Sequence, residues 1–153
     1  MSMEQIIAAV RGFPGALVLL PEPGGEYPEE SWGDAFFYYS PDGRLPRTTQ
    51  PYATITTAGP DPAPWTLNIH VGRSALTALT STDPLPDPTP PDRFHPHPFY
   101  APQGWVSVLA PAERTGAAAL RLLRNAHEAA RERHERRRAS RTPPTGGGSG
   151  SET

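Results

Sequence analysis

The chain has no cysteine, no lysine and no long apolar run, and each absence narrows what it can be. Without cysteine it has no disulfide, no zinc–thiolate site and no cysteine nucleophile. Its longest apolar runs, such as residues 16–20, are too short to cross a bilayer. The first residues lack the basic and apolar regions of a signal peptide. The sequence therefore predicts a soluble cytoplasmic protein without a membrane partner.

Proline and glycine are abundant, with 21 and 14 copies, and they separate the apolar runs without a regular period. This pattern is typical of short elements joined by rigid turns. Residues 140–153 carry no apolar side chain larger than proline, so we expect a disordered tail there. Residues 1–139 have the size of a single domain. Within them, residues 81–98 are rich in proline and are predicted to form a surface loop.

Hydrophobic periodicity predicts the order of the elements. Met3, Ile6, Ile7 and Val10 have the spacing of a helix that is buried on one side. Short β-branched, aromatic or apolar runs predict strands, and two other segments predict a brief helix and a long one. The strands are expected at 16–20, 35–39, 52–57, 65–71 and 103–109, and the helices at 72–79 and 117–139. We expect an α+β fold, in which an antiparallel sheet of about five strands carries an N-terminal helix and a long C-terminal helix.

Four segments resemble DUF6194, a family of actinobacterial proteins of unknown function. They are Ser31–Gly43 (SWGDAFFYYSPDG), Tyr52–Thr56 (YATIT), Leu67–Arg73 (LNIHVGR) and Pro96–Val106 (PHPFYAPQGWV). The resemblance implies kinship and no particular activity. Residues 58–65 are shorter than the corresponding segment of the family and lack its arginines. The last strand and helix are also similar in arrangement to the MmcQ/YjbR-like fold, some members of which are labelled DNA-binding.

Aromatic and polar residues near the predicted strand ends indicate a ligand pocket. Aromatic walls with a few convergent polar groups are typical of small-molecule sites. The predicted walls are Trp32, Tyr38, Tyr100 and Trp105, and the predicted polar anchors are Asp34, Asn68, His70 and His97. The same residues would also suit an ordinary aromatic core. Our first hypothesis is a non-catalytic domain that binds a small molecule or a protein.

Three histidines, His70, His95 and His97, raise the alternative of a metal-dependent or hydrolytic enzyme. Prolines alternate with the last two, which favours a rigid extended loop over a converging site. The sequence has no G-x-S-x-G elbow, no H-E-x-x-H motif and no phosphate-binding glycine loop. We therefore predict no catalytic residue, no bound metal and no cofactor.

The C-terminal helix carries a cluster of arginines. From residue 121 to 141 there are 8 Arg against 3 Glu, whereas residues 1–120 have 6 Arg against 12 acidic residues. The cluster could bind nucleic-acid phosphates. The acidic remainder and the lack of interleaved aromatic residues favour an ordinary solvated helix end instead. The residues of this alternative are Arg131, Arg133, Arg136, Arg137, Arg138 and Arg141.

Overall fold

The computed structural model describes residues 1–57, 64–80 and 89–141, with the backbone alone at residue 141. Three predicted features lie partly outside these residues: the short loop 58–65, the proline-rich loop 81–98 and the tail 140–153. The helices are α1 (Met3–Arg11), α2 (Arg73–Leu79) and α3 (Gly116–Arg141). The strands are β1 (Ala16–Leu19), β2 (Ala35–Tyr39), β3 (Ala53–Thr57), β4 (Trp65–His70), β5 (Phe94–Pro96) and β6 (Trp105–Leu109). The predicted α+β class and both terminal helices are confirmed.

The described strands form one antiparallel sheet in the order β1-β2-β3-β4-β6-β5. β2 and β3 pair as an antiparallel hairpin, with Phe36 opposite Thr54. The sheet has six strands where the sequence predicts about five, because β5 lies inside the segment predicted to be loop. β5 pairs only with β6 and is therefore an edge strand, the position in a sheet that tolerates proline best.

One face of the sheet is buried under the helices. α1 packs on β1, and α3 packs on β2 and β4. Leu76 of α2 packs against the same core. The buried side chains follow the alternation of each strand and the stripe of α3, and they include Phe37, Ile55, Leu67, Ile69, Val106, Val108, Ala119, Leu123 and Ala126. The predicted packing of the long C-terminal helix on the sheet is thus confirmed.

The core face carries the packing of α1 and α3, and the opposite face carries the alternate side chains of the strands. Strand alternation and register place on it a polar centre with aromatic residues around it. We call this surface the open face, and its residues include Phe36, Tyr38, Thr54, Thr56, Asn68, His70, His95, Trp105 and Ser107.

Candidate functional site on the open face of the sheet

Asn68 lies at the centre of the open face and is only 4% exposed. Its Nδ2 donates hydrogen bonds to Oγ1 of Thr54 at 3.1 Å and Oγ1 of Thr56 at 3.3 Å. Its Oδ1 accepts from the hydroxyl of Ser107 at 2.7 Å. Both donors of the amide are used within the sheet, so Asn68 fixes a rigid polar floor and is not itself a free anchor.

The connection between β5 and β6, residues 97–104, is fixed against the end of β4. The Gly104 carbonyl accepts from the backbone N–H groups of Val71 at 2.9 Å and Gly72 at 3.0 Å. Nε of Arg73 donates to the Pro102 carbonyl at 3.0 Å. These bonds hold the aromatic residues of the connection at one end of the open face.

His97 has a defined protonation pattern within this connection. Its Nδ1 accepts hydrogen bonds from the backbone N–H groups of Phe99 and Tyr100, each at 3.1 Å. An accepting Nδ1 carries no proton, so the neutral ring has its proton on Nε2. The ring centroid lies 4.9 Å from that of Tyr100 and 6.4 Å from that of Trp105. Burial among these groups lowers the pKa of His97.

The lowered pKa of His97 predicts a specific pH dependence of stability. As the pH falls, the unfolded chain takes up a proton at this histidine near about pH 6.5, whereas the folded protein does so only at a lower pH. The contribution of His97 to the free energy of unfolding is therefore complete above about pH 6.5 and is lost below it. In His97→Asn, Oδ1 can accept the same two N–H groups without titrating. We expect the wild-type melting temperature to fall a few degrees more than that of His97→Asn between about pH 7.5 and pH 5.5. Parallel thermal melts at both pH values measure this, and equal slopes would contradict it.

The other two histidines donate to backbone carbonyl groups. Nε2 of His70 donates to the Gln103 carbonyl at 2.9 Å, and Nε2 of His95 donates to the Pro90 carbonyl at 3.4 Å. The ring of Trp105 is near both His70 and His97, with centroids 5.6 and 6.4 Å away. Within residues 1–57, 64–80 and 89–141, no three His, Asp or Glu side chains are grouped as metal ligands. The structure therefore does not bring the three histidines together.

A cavity of about 730 Å³ lies at the end of the open face where β3 and β6 begin and β4 ends. It contains five of the eight predicted ligand-binding residues, namely Asn68, His70, His97, Tyr100 and Trp105. The further lining residues are Phe36, Thr49, Gln50, Pro51, Tyr52, Thr54, Thr56, Gln103 and Arg133. The cavity thus combines aromatic walls with hydroxyl, amide, imidazole and guanidinium groups and has no carboxylate among its lining residues.

The three remaining predicted residues lie elsewhere. Nε1 of Trp32 donates to the Tyr27 carbonyl at 3.3 Å. Asp34 accepts from the backbone N–H of Thr57 at 2.9 Å and from its hydroxyl at 3.0 Å. Thr57 belongs to the end of the sheet opposite Trp105, so Asp34 stabilises the far end of β3. Tyr38 is on the open face but does not line the cavity. Its pKa is raised, mainly by burial and secondly by the nearby Tyr27.

Several lining residues were absent from the prediction. Phe36, Thr54 and Thr56 alternate with buried neighbours, and this pattern would have placed them on the same face as Asn68. The sequence predicted Arg133 only as a nucleic-acid contact. It gives no signal that Arg133 lines this cavity, because that depends on where α3 passes the end of the sheet.

A second cavity, of about 530 Å³, adjoins the first on the open face. Thr56, Asn68 and His97 line both cavities. Phe99 lines only the second and is 78% exposed, whereas the 55% exposed Tyr100 lines only the first. This neighbouring aromatic pair therefore distinguishes the two cavities.

The arginines of α3 do not form one uniform surface. Arg131 pairs with Glu128 at 2.8 Å and with Glu135 at 2.9 Å. Arg133 lines the first cavity, and a shallow hollow beside it is lined by Arg133, Arg136, Arg137 and Ser140. Arg138 lies further along the exposed end of the helix. The side chain of Arg141 is outside the described part of the structure.

A family model described as a family of unknown function (DUF6194) matches residues 1–139. No curated protein and no solved structure matches the chain. Among the described residues, no helix has both the length and the apolar character that crossing a membrane requires.

Proposed function

The chain belongs to the DUF6194 family, and because the function of that family is unknown, we propose one from the site itself. We propose that this is a non-catalytic binding domain that takes a small molecule into the first cavity of the open face. The observation that carries the proposal is a cavity of about 730 Å³ whose walls join aromatic rings to convergent polar groups. Small-molecule sites have this size and this kind of lining.

The fixed geometry of the lining supports binding. The Asn68 amide holds the floor, and the Gly104 carbonyl holds the connection that carries Tyr100. A site that is already formed loses little conformational entropy when a ligand enters. Nε2–H of His97 is a hydrogen-bond donor in this lining, because Nδ1 is occupied as an acceptor.

The polar groups of the site suit binding better than catalysis. Nucleophilic catalysis needs a nucleophile hydrogen-bonded to a base. The hydroxyl of Ser107 instead donates to Asn68, and His97 cannot act as a base at Nε2 without giving up its two backbone bonds. The concave shape favours a small molecule over a protein partner. We retain a cytoplasmic location and an actinobacterial source as parts of the proposal.

The neighbouring aromatics Tyr100 and Phe99 provide a matched test. We expect naphthamide, a neutral planar probe, to shift the amide NMR signals of residues 68–70, 97, 99–101 and 103–105. Tyr100→Ala should weaken its binding about tenfold, because loss of one well-packed aromatic contact costs about 1.4 kcal/mol. Phe99→Ala should change affinity less than about twofold, since that ring lies outside the first cavity.

Three results would count against the proposed site. The first is the absence of signal changes at millimolar naphthamide, and the second is a set of shifts that maps away from the first cavity. The third is an equal loss of affinity in Tyr100→Ala and Phe99→Ala.

A further inference from the structure

Arg133 has a position unlike that of its neighbour Arg131. Arg131 forms ion pairs with two glutamates of α3. Arg133 is half-buried and lines the first cavity, and in the described part of the chain no residue forms a hydrogen bond or ion pair with its guanidinium. A partly buried cation without a counterion loses hydration and regains little from the protein.

The cavities that Arg133 lines contain further arginines and no acidic lining residue. The chain as a whole has 16 acidic residues against 14 basic ones, yet none of the residues that line the first cavity is acidic. Arg136 and Arg137 lie beside Arg133 in the adjoining hollow. Burial, and then repulsion from Arg137 and Arg136, lowers the pKa of Arg133. An anion placed there would relieve both the burial cost and the repulsion.

We propose that the first cavity takes a small molecule in which a planar ring carries an oxyanion, either a carboxylate or a phosphate, and that Arg133 binds the oxyanion. This inference rests on the proposed function and names its ligand class. A guanidinium presents a planar fork of N–H donors that fits both groups bidentately. The ring packs against Tyr100 and Trp105, which line the same cavity, and Nε2–H of His97 supplies a further donor.

The test compares probes that share one ring and differ in a single substituent. Naphthoate and naphthamide share the ring, and only naphthoate carries an oxyanion. By isothermal titration calorimetry at low salt, we expect naphthoate to bind about tenfold more tightly, because a charge-assisted hydrogen bond is stronger than a neutral one. Arg133→Gln should abolish this preference by weakening naphthoate about tenfold and changing naphthamide less than about twofold.

Arg131→Gln is the matched control, since it removes an arginine of the same helix that is paired and does not line the cavity. It should leave the preference for naphthoate intact. Arg133→Lys should restore part of the preference, because the charge returns without the planar fork. Added salt should weaken the binding of naphthoate and leave that of naphthamide unchanged.

A third probe, naphthyl phosphate, distinguishes the two oxyanions. Tighter binding of the phosphate than of the carboxylate would identify phosphate as the ligand group, and the reverse would identify carboxylate. Equal affinity of naphthamide and both anions, unchanged in Arg133→Gln, would overturn the oxyanion inference and leave the proposed function standing. If none of the three probes binds, both proposals are overturned.

Discussion

Gly104→Ala is expected to lower the free energy of unfolding by about 3 kcal/mol or more, and the melting temperature by on the order of 10 °C. Gly104 has φ +89°, where a Cβ clashes with the chain itself. An added Cβ would also lie 2.8 Å from both Cα and the carbonyl carbon of Gly72. Backbone atoms at this distance must move, and they can move only by disturbing the bonds from Val71 and Gly72 to the Gly104 carbonyl.

Gly24→Ala separates the two causes of this loss, which are the positive φ and the close approach to Gly72. Gly24 has φ +86°, yet no atom lies within 4 Å of the position of its Cβ. Gly24→Ala should therefore lower the free energy of unfolding only by the cost of the positive φ, about 1 to 2 kcal/mol. Chemical denaturation of both variants beside the wild type measures the difference. Equal losses would show that the close approach of Gly104 and Gly72 contributes nothing.

Most of the fold could be predicted from local patterns. The β-branched and aromatic alternation around Phe37 and Ile55 and the spacing of Ile6, Ile7 and Val10 depend on neighbours in sequence, and each gives the observed element. The strand at Phe94–Pro96 could not be predicted in this way. Its three residues carry no strand pattern of their own, and the segment is ordered as a strand by pairing with β6.

The candidate site shows a similar division. Asn68, His70 and Trp105 share the open face because strand alternation and register place them there, and their grouping was predicted. Asp34 was grouped with them because it precedes an aromatic strand. The antiparallel order instead places it beside Thr57, at the other end of the sheet. Arg133 joins the cavity through the packing of α3, about which the local sequence says nothing.

His127 is another residue whose role depends on tertiary packing. It follows Leu123 by four residues and precedes Ala130 by three, so it falls within the apolar stripe of α3, and it is 1% exposed. Its Nε2 donates to the Pro14 carbonyl at 2.7 Å, and its Nδ1 lies 3.0 Å from the hydroxyl of Tyr52. Because Nε2 is the donor to Pro14, Nδ1 is the ring nitrogen that can accept from the Tyr52 hydroxyl, and burial raises the pKa of that hydroxyl. His127 thus satisfies two groups inside the core.

His127→Leu is expected to cost about 2 to 4 kcal/mol, because the Pro14 carbonyl and the Tyr52 hydroxyl both lose their partner. Tyr52→Phe should cost about 1 to 3 kcal/mol, because it leaves Nδ1 of His127 buried without a donor. The double variant should cost about 1 to 2 kcal/mol less than the sum, since neither side of that bond is then orphaned. Urea denaturation of the four proteins measures this coupling.

His134→Leu is the control for His127→Leu, because His134 is on the same helix and only partly buried against the ring of Tyr39. Its expected loss is below about 1 kcal/mol. A loss in His127→Leu as small as that in His134→Leu, or strict additivity of the double variant, would contradict the bridge from α3 to Pro14 and Tyr52. Because Tyr52 also lines the first cavity, a confirmed bridge would connect the position of α3, and with it Arg133, to the wall of that cavity.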